Sequence, residues 1–319
     1  MDTSGHTQGT AAWLTTRDGR RLFARSLAGT GDDSGGSGGS GGTADDRAVT
    51  VVFEAGAAAA RHGWADVQVR TAALPGVRRA VVYDRSGLGR SPADPDGRTL
   101  SRMADDLNDV LDGLSSPGGG PGSGPGTDDR FILVGHSAGG PIVRLAASRR
   151  PGRVSGVVTV DGTDESQDEM TGPLFRLGEA VVGHIYLALA HLSLMKHLFA
   201  GQLAAAPADD VRREFADEGF RPQVFRTQIA QARTFMPELT TWRSTPPDLG
   251  DIPVTVIAGM LPGDGIPAAA RRSAVAAYRA RAASYRDGRF VAAPHSAHYV
   301  PVTDAELVAA EIGRIIHRR

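Results

Sequence analysis

Phe131-Ile-Leu-Val-Gly-His-Ser-Ala-Gly-Gly-Pro-Ile-Val-Arg-Leu-Ala-Ala147 is the stretch whose reading decides the fold. Four apolar residues of high β-propensity predict a short buried strand, and the run from Pro141 onward predicts a helix. Between them Gly135, Ser137 and Gly139 spell G-x-S-x-G. Glycines remove the Cβ atoms that would collide where strand and helix pass closely, and the turn forces the serine into a strained conformation. Its oxygen then stands above the strand end with a helix N-terminus behind it. A loop serine that merely caps the helix is the plainer alternative. The strand before, the helix after and the small residues at the crowded positions favour a nucleophile.

Similar units run outward on both sides. Ala12–Thr16 and Arg21–Leu27 flank Asp18-Gly19, a hairpin signal. Val49–Glu54, Ala80–Tyr83, Val154–Val160, Val254–Ala258 and Arg289–Ala292 read as strands. Trp64–Thr71, Leu100–Leu114 (with Ser101 as its cap), the helix from Ala138, Ala268–Ala283 and Asp304–His317 read as helices. Alternating β and α units with continuous apolar strands predict an α/β fold: a mostly parallel twisted sheet with helices on both faces. Residues 163–249 contain no strand signal and read as helices over Pro173–Phe199, Ala208–Ala216 and Gln223–Met236. The expected organisation is therefore a core in two parts, 1–162 and 250–319, with a helical lid, 163–249, inserted above the strand ends. Gly- and Ser-rich stretches near 31–43 and 115–129 cannot bury apolar surface and are expected to be flexible loops.

At 319 residues, 41% hydrophobic and 22% charged, the chain has the composition of a soluble globular enzyme. A formal net charge of −1 argues against nucleic acid or an acidic membrane as partner. With no cysteine, disulfides, thiolate metal sites and cysteine nucleophiles are excluded. The first residues lack a basic segment followed by an apolar one, so a cytoplasmic location is expected. The apolar run Ala180–Met195 is too short for a bilayer span of ~20 residues and reads as a buried or cleft-lining helix.

A serine hydroxyl needs a neighbouring base. Of nine histidines, His298 follows the last strand and precedes the last helix, at the same sheet edge as Ser137; His295 is its neighbour and competitor. The acid that fixes the base's tautomer has two candidates at strand ends, Asp161 after Val157-Val-Thr-Val and Asp264 beyond Val254-Thr-Val-Ile-Ala-Gly. Asp161 is slightly favoured. The oxyanion of a tetrahedral intermediate requires aimed N–H donors. Ala138 at the helix start and Ala57 in the Glu54-Ala-Gly-Ala loop, where Gly56 permits close approach, are expected to supply them.

Together these positions resemble the α/β-hydrolase superfamily, specifically its lid-bearing members, over nearly the whole chain. Tyr83-Asp-Arg-Ser-Gly-Leu-Gly-Arg-Ser91 looks like that family's D-x-x-G-x-G-x-S stretch, and Ser296-Ala-His-Tyr-Val300 looks like its histidine loop. The resemblance implies Ser137 as nucleophile and Ala57 and Ala138 as oxyanion donors. Two departures stand out. Glu54-Ala-Gly replaces the common His-Gly at the oxyanion loop, as in some members with Glu-x-Gly. Pro262 occupies the usual acid position after the seventh strand, so that Asp264 arrives two residues late. Other members place the acid after the sixth strand, where Asp161 stands. Relatives that open epoxides or remove halide use aspartate at the elbow, which argues against those reactions.

The sequence thus predicts a serine hydrolase that cleaves an ester, thioester or lactone of a moderately hydrophobic small molecule. Leu187, Leu192, Met195 and Phe199 are expected to wall the pocket, and no metal or organic cofactor is implied. A carbon–carbon bond hydrolase or acyltransferase with the same triad is the rival among enzymes. A non-catalytic small-molecule-binding protein of the same fold is the rival outside them.

Overall fold

The computed structural model describes residues 5–29, 48–115, 130–167 and 172–318. The two low-complexity stretches lie outside these residues except for Ser115, the last residue of a helix. β1 (Thr10–Thr15) and β2 (Arg21–Ala28) form the hairpin around Asp18-Gly19. Then follow β3 (Val49–Glu54), α1 (Ala65–Ala72), β4 (Val77–Tyr83), α2 (Leu100–Ser115), β5 (Phe131–His136), α3 (Gly139–Arg149) and β6 (Val154–Val160). After the helical insertion come β7 (Val254–Gly259), α9 (Ala268–Ser284), β8 (Gly288–Ala293), the short α10 (Val300–Thr303) and α11 (Ala305–His317).

The eight strands lie in the order β1-β2-β4-β3-β5-β6-β7-β8. β2 pairs antiparallel with β1 and β4; every other neighbour pair is parallel. β3, β5, β6 and β7 are buried along their whole lengths, as a sheet covered on both faces requires. Their side chains alternate between two cores. Phe131 and Leu133 join Met103, Leu107, Ile142 and Tyr278 from α2, α3 and α9. Ile132 and Val134 join Val67, Val308 and Ile312 from α1 and α11. The chain leaves β3 toward β4 on one side and toward β5 on the other, which opens a crevice at the carboxyl ends of β3 and β5. The Glu54–Ala57 loop and the Ser137 turn meet there.

Between β6 and β7 the described residues form α4 (Pro173–His191), α5 (Met195–Leu198), α6 (Ala200–Ala204), α7 (Asp209–Glu218) and α8 (Pro222–Thr241). The single helix expected over 173–199 is broken where Ser193 adopts φ 59°. α4 packs against α8, with Gly183 so close to Ile229 that a Cβ there would lie 3.1 Å from it. The apolar run 180–195 is buried on one face only. Ala190 and Met195 are covered, whereas Val181, Ile185 and Leu192 are 51%, 51% and 67% exposed. Ion pairs tie α7 to the core: Glu214 and Glu218 meet Arg25, Arg61 and Arg90 at 2.5–2.9 Å. The cap of α2 is Thr99, whose hydroxyl accepts the Arg102 N–H at 3.1 Å, and not Ser101, which lies inside the helix. Threonine one residue before the first helical turn meets the exposed N–H that a residue already in the turn cannot reach.

Candidate active site

Ser137 ends the β5 turn at φ 53°, in the left-handed region that non-glycine residues rarely enter. The turn is held by backbone bonds: Ser137 N–H donates to Val160 O, and Ser137 O accepts from Gly140 and Thr163. α3 starts immediately behind it because position 139 is glycine; a Cβ there would lie 2.4 Å from the Glu54 carbonyl oxygen. Gly56 faces the serine so closely that its Cβ would stand 3.3 Å from Ser137 Cβ.

The ring of His298 bridges Ser137 and Asp161. Its Nε2 lies 3.1 Å from Ser137 Oγ and its Nδ1 lies 2.7 Å from Asp161 Oδ2. Asp161 follows β6 at φ 43° and is buried, its Oδ1 accepting from Arg271 of α9 at 2.6 Å and from Gly259 N–H at 3.0 Å. Burial pushes the Asp161 carboxyl up, but hydrogen bonds and charge from His298 and Arg271 outweigh it and leave the group below the ordinary aspartate range. A carboxylate only accepts, so the imidazole proton rests on Nδ1 and the Nε2 lone pair points at the serine.

Asp264 does not reach the ring. Its Oδ2 accepts the main-chain N–H of His298 at 2.9 Å, from a backbone with φ 51°. His295 lies apart, its Nδ1 3.0 Å from Asp304 Oδ1. His184 and His191 of α4 are exposed; His184 Nδ1 donates to Ala180 O at 2.7 Å. Ala57 lies in the loop beside Ser137, and Ala138 precedes the first residue of α3.

Three contributors were not legible in the sequence. Arg271 lies 110 residues from Asp161 in the chain, beyond any local spacing. His136 donates from Nε2 to the His298 carbonyl at 2.9 Å and so holds the histidine loop. Burial, followed by the charge of His298, drives its pKa down to about 3. Between the ordinary histidine value of 6.5 and about 3, the unfolded chain binds a proton that the folded one refuses. His136 therefore contributes stability above pH 6.5 that is lost as pH falls toward 3. Between pH 7 and 5 the wild type should lose about 2 kcal/mol more than His136→Gln in urea unfolding. Equal losses would exclude this coupling.

The third is Arg85, in the Asp-Arg-Ser-Gly-Leu-Gly segment. It pairs with Glu54, and its guanidinium also donates to the carbonyls of Ala55, Gly56 (2.6 Å) and Ala57 (3.4 Å). The Tyr83 hydroxyl donates to the other Glu54 oxygen. Both charges are buried, Glu54 at 0% and Arg85 at 2% exposure. Burial pushes the Glu54 carboxyl up, against the pull of Arg85 and Tyr83. With its carbonyls tied back to Arg85, the Ala55–Ala57 loop has fixed peptide planes. This accounts physically for glutamate at the loop's first position: it neutralises the guanidinium that shapes the loop.

A cavity of about 630 Å³ opens over Ser137. The small side chains of Ala55–Ala60 form one wall, and Tyr186, Phe199, Phe215, Phe220 and Phe225 from the insertion form the other. Phe220 stacks on Phe199 at 5.6 Å and on Phe215 at 5.0 Å. Phe199 is on the wall as expected. Leu187, Leu192 and Met195 are not: Leu192 is exposed beside the break at Ser193, and Leu187 and Met195 pack into the apolar cluster around Leu88 and Val224. Among the described residues one group, His62 with Glu214 and Glu218, has spacing suited to a metal, but guanidinium groups already occupy both carboxylates.

The model of the alpha/beta hydrolase family matches residues 51–311. The chain belongs to this family. Its mostly parallel sheet is the family fold. It is 35% identical over 91 residues to a protein of Variovorax paradoxus (strain S110) named as a carbamate hydrolase, RutD. That match covers 28% of this α/β hydrolase and only 30% of the relative's length. A hydrolase structure from Pseudomonas aeruginosa PA01 superposes with TM-score 0.62 at 20% identity, covering 97% of this chain and 98% of the other. A thermophilic esterase from Thermogutta terrifontis superposes with TM-score 0.62 at 18% identity, covering 97% and 99%. At these identities the two structures speak to the fold alone. Among the described residues no helix of this α/β hydrolase is long and apolar enough to cross a membrane.

Proposed function

We propose that this α/β hydrolase is a serine hydrolase that cleaves an ester, thioester or lactone of a moderately hydrophobic small molecule through an acyl-enzyme. The observation that carries the reading is the unbroken hydrogen-bonded chain from Ser137 Oγ through His298 to Asp161. His298 Nε2 takes the Ser137 proton as Oγ attacks the carbonyl carbon. The oxyanion is received by the N–H groups of Ala57 and Ala138, each such donor contributing ~3–4 kcal/mol. The imidazolium is stabilised by Asp161, whose other carboxylate oxygen accepts from Arg271. It then returns the proton to the leaving oxygen or sulfur. Water, deprotonated by the same ring, releases the acid and restores Ser137.

The helical insertion acts as a lid in this reading, its aromatic side chains receiving the apolar part of the substrate. A carbamate carbonyl would be attacked in the same way, and the partial likeness to RutD makes carbamates substrates to test beside the esters. Incubation with a fluorophosphonate should add one adduct, found by mass spectrometry on the peptide bearing Ser137. An unlabelled serine would refute an activated nucleophile.

A further inference from the structure

The cavity over Ser137 is asymmetric in charge. Among its described lining residues are two carboxylates, Asp66 and Asp264, and no arginine or lysine, in a chain that has 35 such cations. Arg85, Arg271 and Arg61 do not line the cavity, and each is already neutralised. Arg85 is bound to Glu54, Arg271 to Asp161, and Arg61 to Asp84. Asp66 is bridged to Arg70 at 3.0 Å. Asp264 has no ion-pair partner among the described residues, and its side chain is exposed to the cavity. One of its oxygens is engaged by the His298 main-chain N–H; the other is free to meet a ligand.

The position of Asp264 relative to the chemistry is informative. The base that protonates a departing group must lie beside it. Asp264 is hydrogen-bonded to the backbone of that base and lines the same cavity, so its carboxylate lies close to the group that the base protonates.

We propose that Asp264 is a specificity-determining residue that selects esters or thioesters whose leaving group carries a positive charge, an alkylammonium alcohol or thiol, over neutral and anionic ones. The inference rests on the proposed Ser137 mechanism. It deepens that mechanism by naming the side of the scissile bond on which charge is read. An alkylammonium group beside the free carboxylate oxygen gains attraction that its neutral carbon isostere lacks, and an anionic group meets repulsion. The aromatic wall and the alanine wall supply contact to either isostere alike.

The test compares butyrylthiocholine with its neutral isostere, S-(3,3-dimethylbutyl) thiobutyrate, on the full chain. The wild type should favour the cation about threefold to tenfold in kcat/KM, as one partly exposed charge pair allows. The preference should shrink as salt is raised to about 1 M, where charges more than ~3 Å apart are screened. Asp264→Asn keeps an acceptor for the His298 N–H and should bring the ratio to about one. Because both substrates are measured on the same preparation, any disturbance of His298 cancels in the ratio. A wild-type ratio near one, or an Asp264→Asn ratio equal to the wild type's, would overturn the assignment. If neither thioester is turned over and Ser137 resists the fluorophosphonate, the mechanism itself fails. Labelling with turnover at a ratio of one defeats the charge selection alone.

Discussion

Ser137→Ala should lower kcat for p-nitrophenyl butyrate by roughly 10⁵- to 10⁶-fold while leaving the melting temperature within a degree or two, and should abolish fluorophosphonate labelling. The magnitude follows from removing the only atom that can carry the acyl group; what remains is water attack helped by binding and oxyanion donors. Fold stability should survive. The turn is held by the main chain of residue 137, through Val160, Gly140 and Thr163, and not by its hydroxyl. Alanine also carries a Cβ, so the strain at φ 53° is unchanged. A variant retaining a tenth of wild-type turnover would show that another group performs the attack.

Asp161→Asn should reduce kcat about 10⁴-fold, with thermal stability measured alongside. The Oδ1 position is pinned by two donors, Arg271 and Gly259 N–H, so asparagine would keep its carbonyl oxygen there. Its amide nitrogen would then face His298 Nδ1. Two donors cannot share that bond, and the ring must move its proton to Nε2, aiming N–H where Ser137 needs a lone pair. The geometry survives but the base is lost. Asp264→Asn cannot have this effect, since Asp264 meets the main chain of His298 and not its ring. If Asp264→Asn slowed acylation of a neutral ester more than Asp161→Asn, the acid would have been misassigned. Stopped-flow acylation rates on the two variants separate the cases.

Much of this architecture is legible in local patterns because its causes are local. β3, β5, β6 and β7 show as unbroken apolar runs since both their faces are covered. The elbow shows because Gly135 and Gly139 are each pressed against backbone oxygen at what would be 2.4 Å from a Cβ. The choice between Asp161 and Asp264 is hard to read from spacing, since both follow strands and both carry left-handed backbones. What separates them is a guanidinium arriving from α9 and the direction in which each left-handed residue turns its side chain. The insertion is legible as helical but not in its facing. An apolar run such as 180–195 gives no sign that Val181 and Ile185 look outward while Ala190 looks in, nor that Ser193 ends the helix. His136 gives no signal either, because its partner is a main-chain carbonyl, which leaves no mark on composition.

The pairing of Glu54 with Arg85 restricts how this protein can change over generations. Losing one member strands the other's charge in a dry interior, at about 3–5 kcal/mol, a large part of the whole stability of a typical domain. Single replacements at either position are therefore closed to drift, and the two segments, at the ends of the consecutive strands β3 and β4, must be inherited as a unit. Anyone grafting a different loop beside the nucleophile would have to exchange the arginine in the same step.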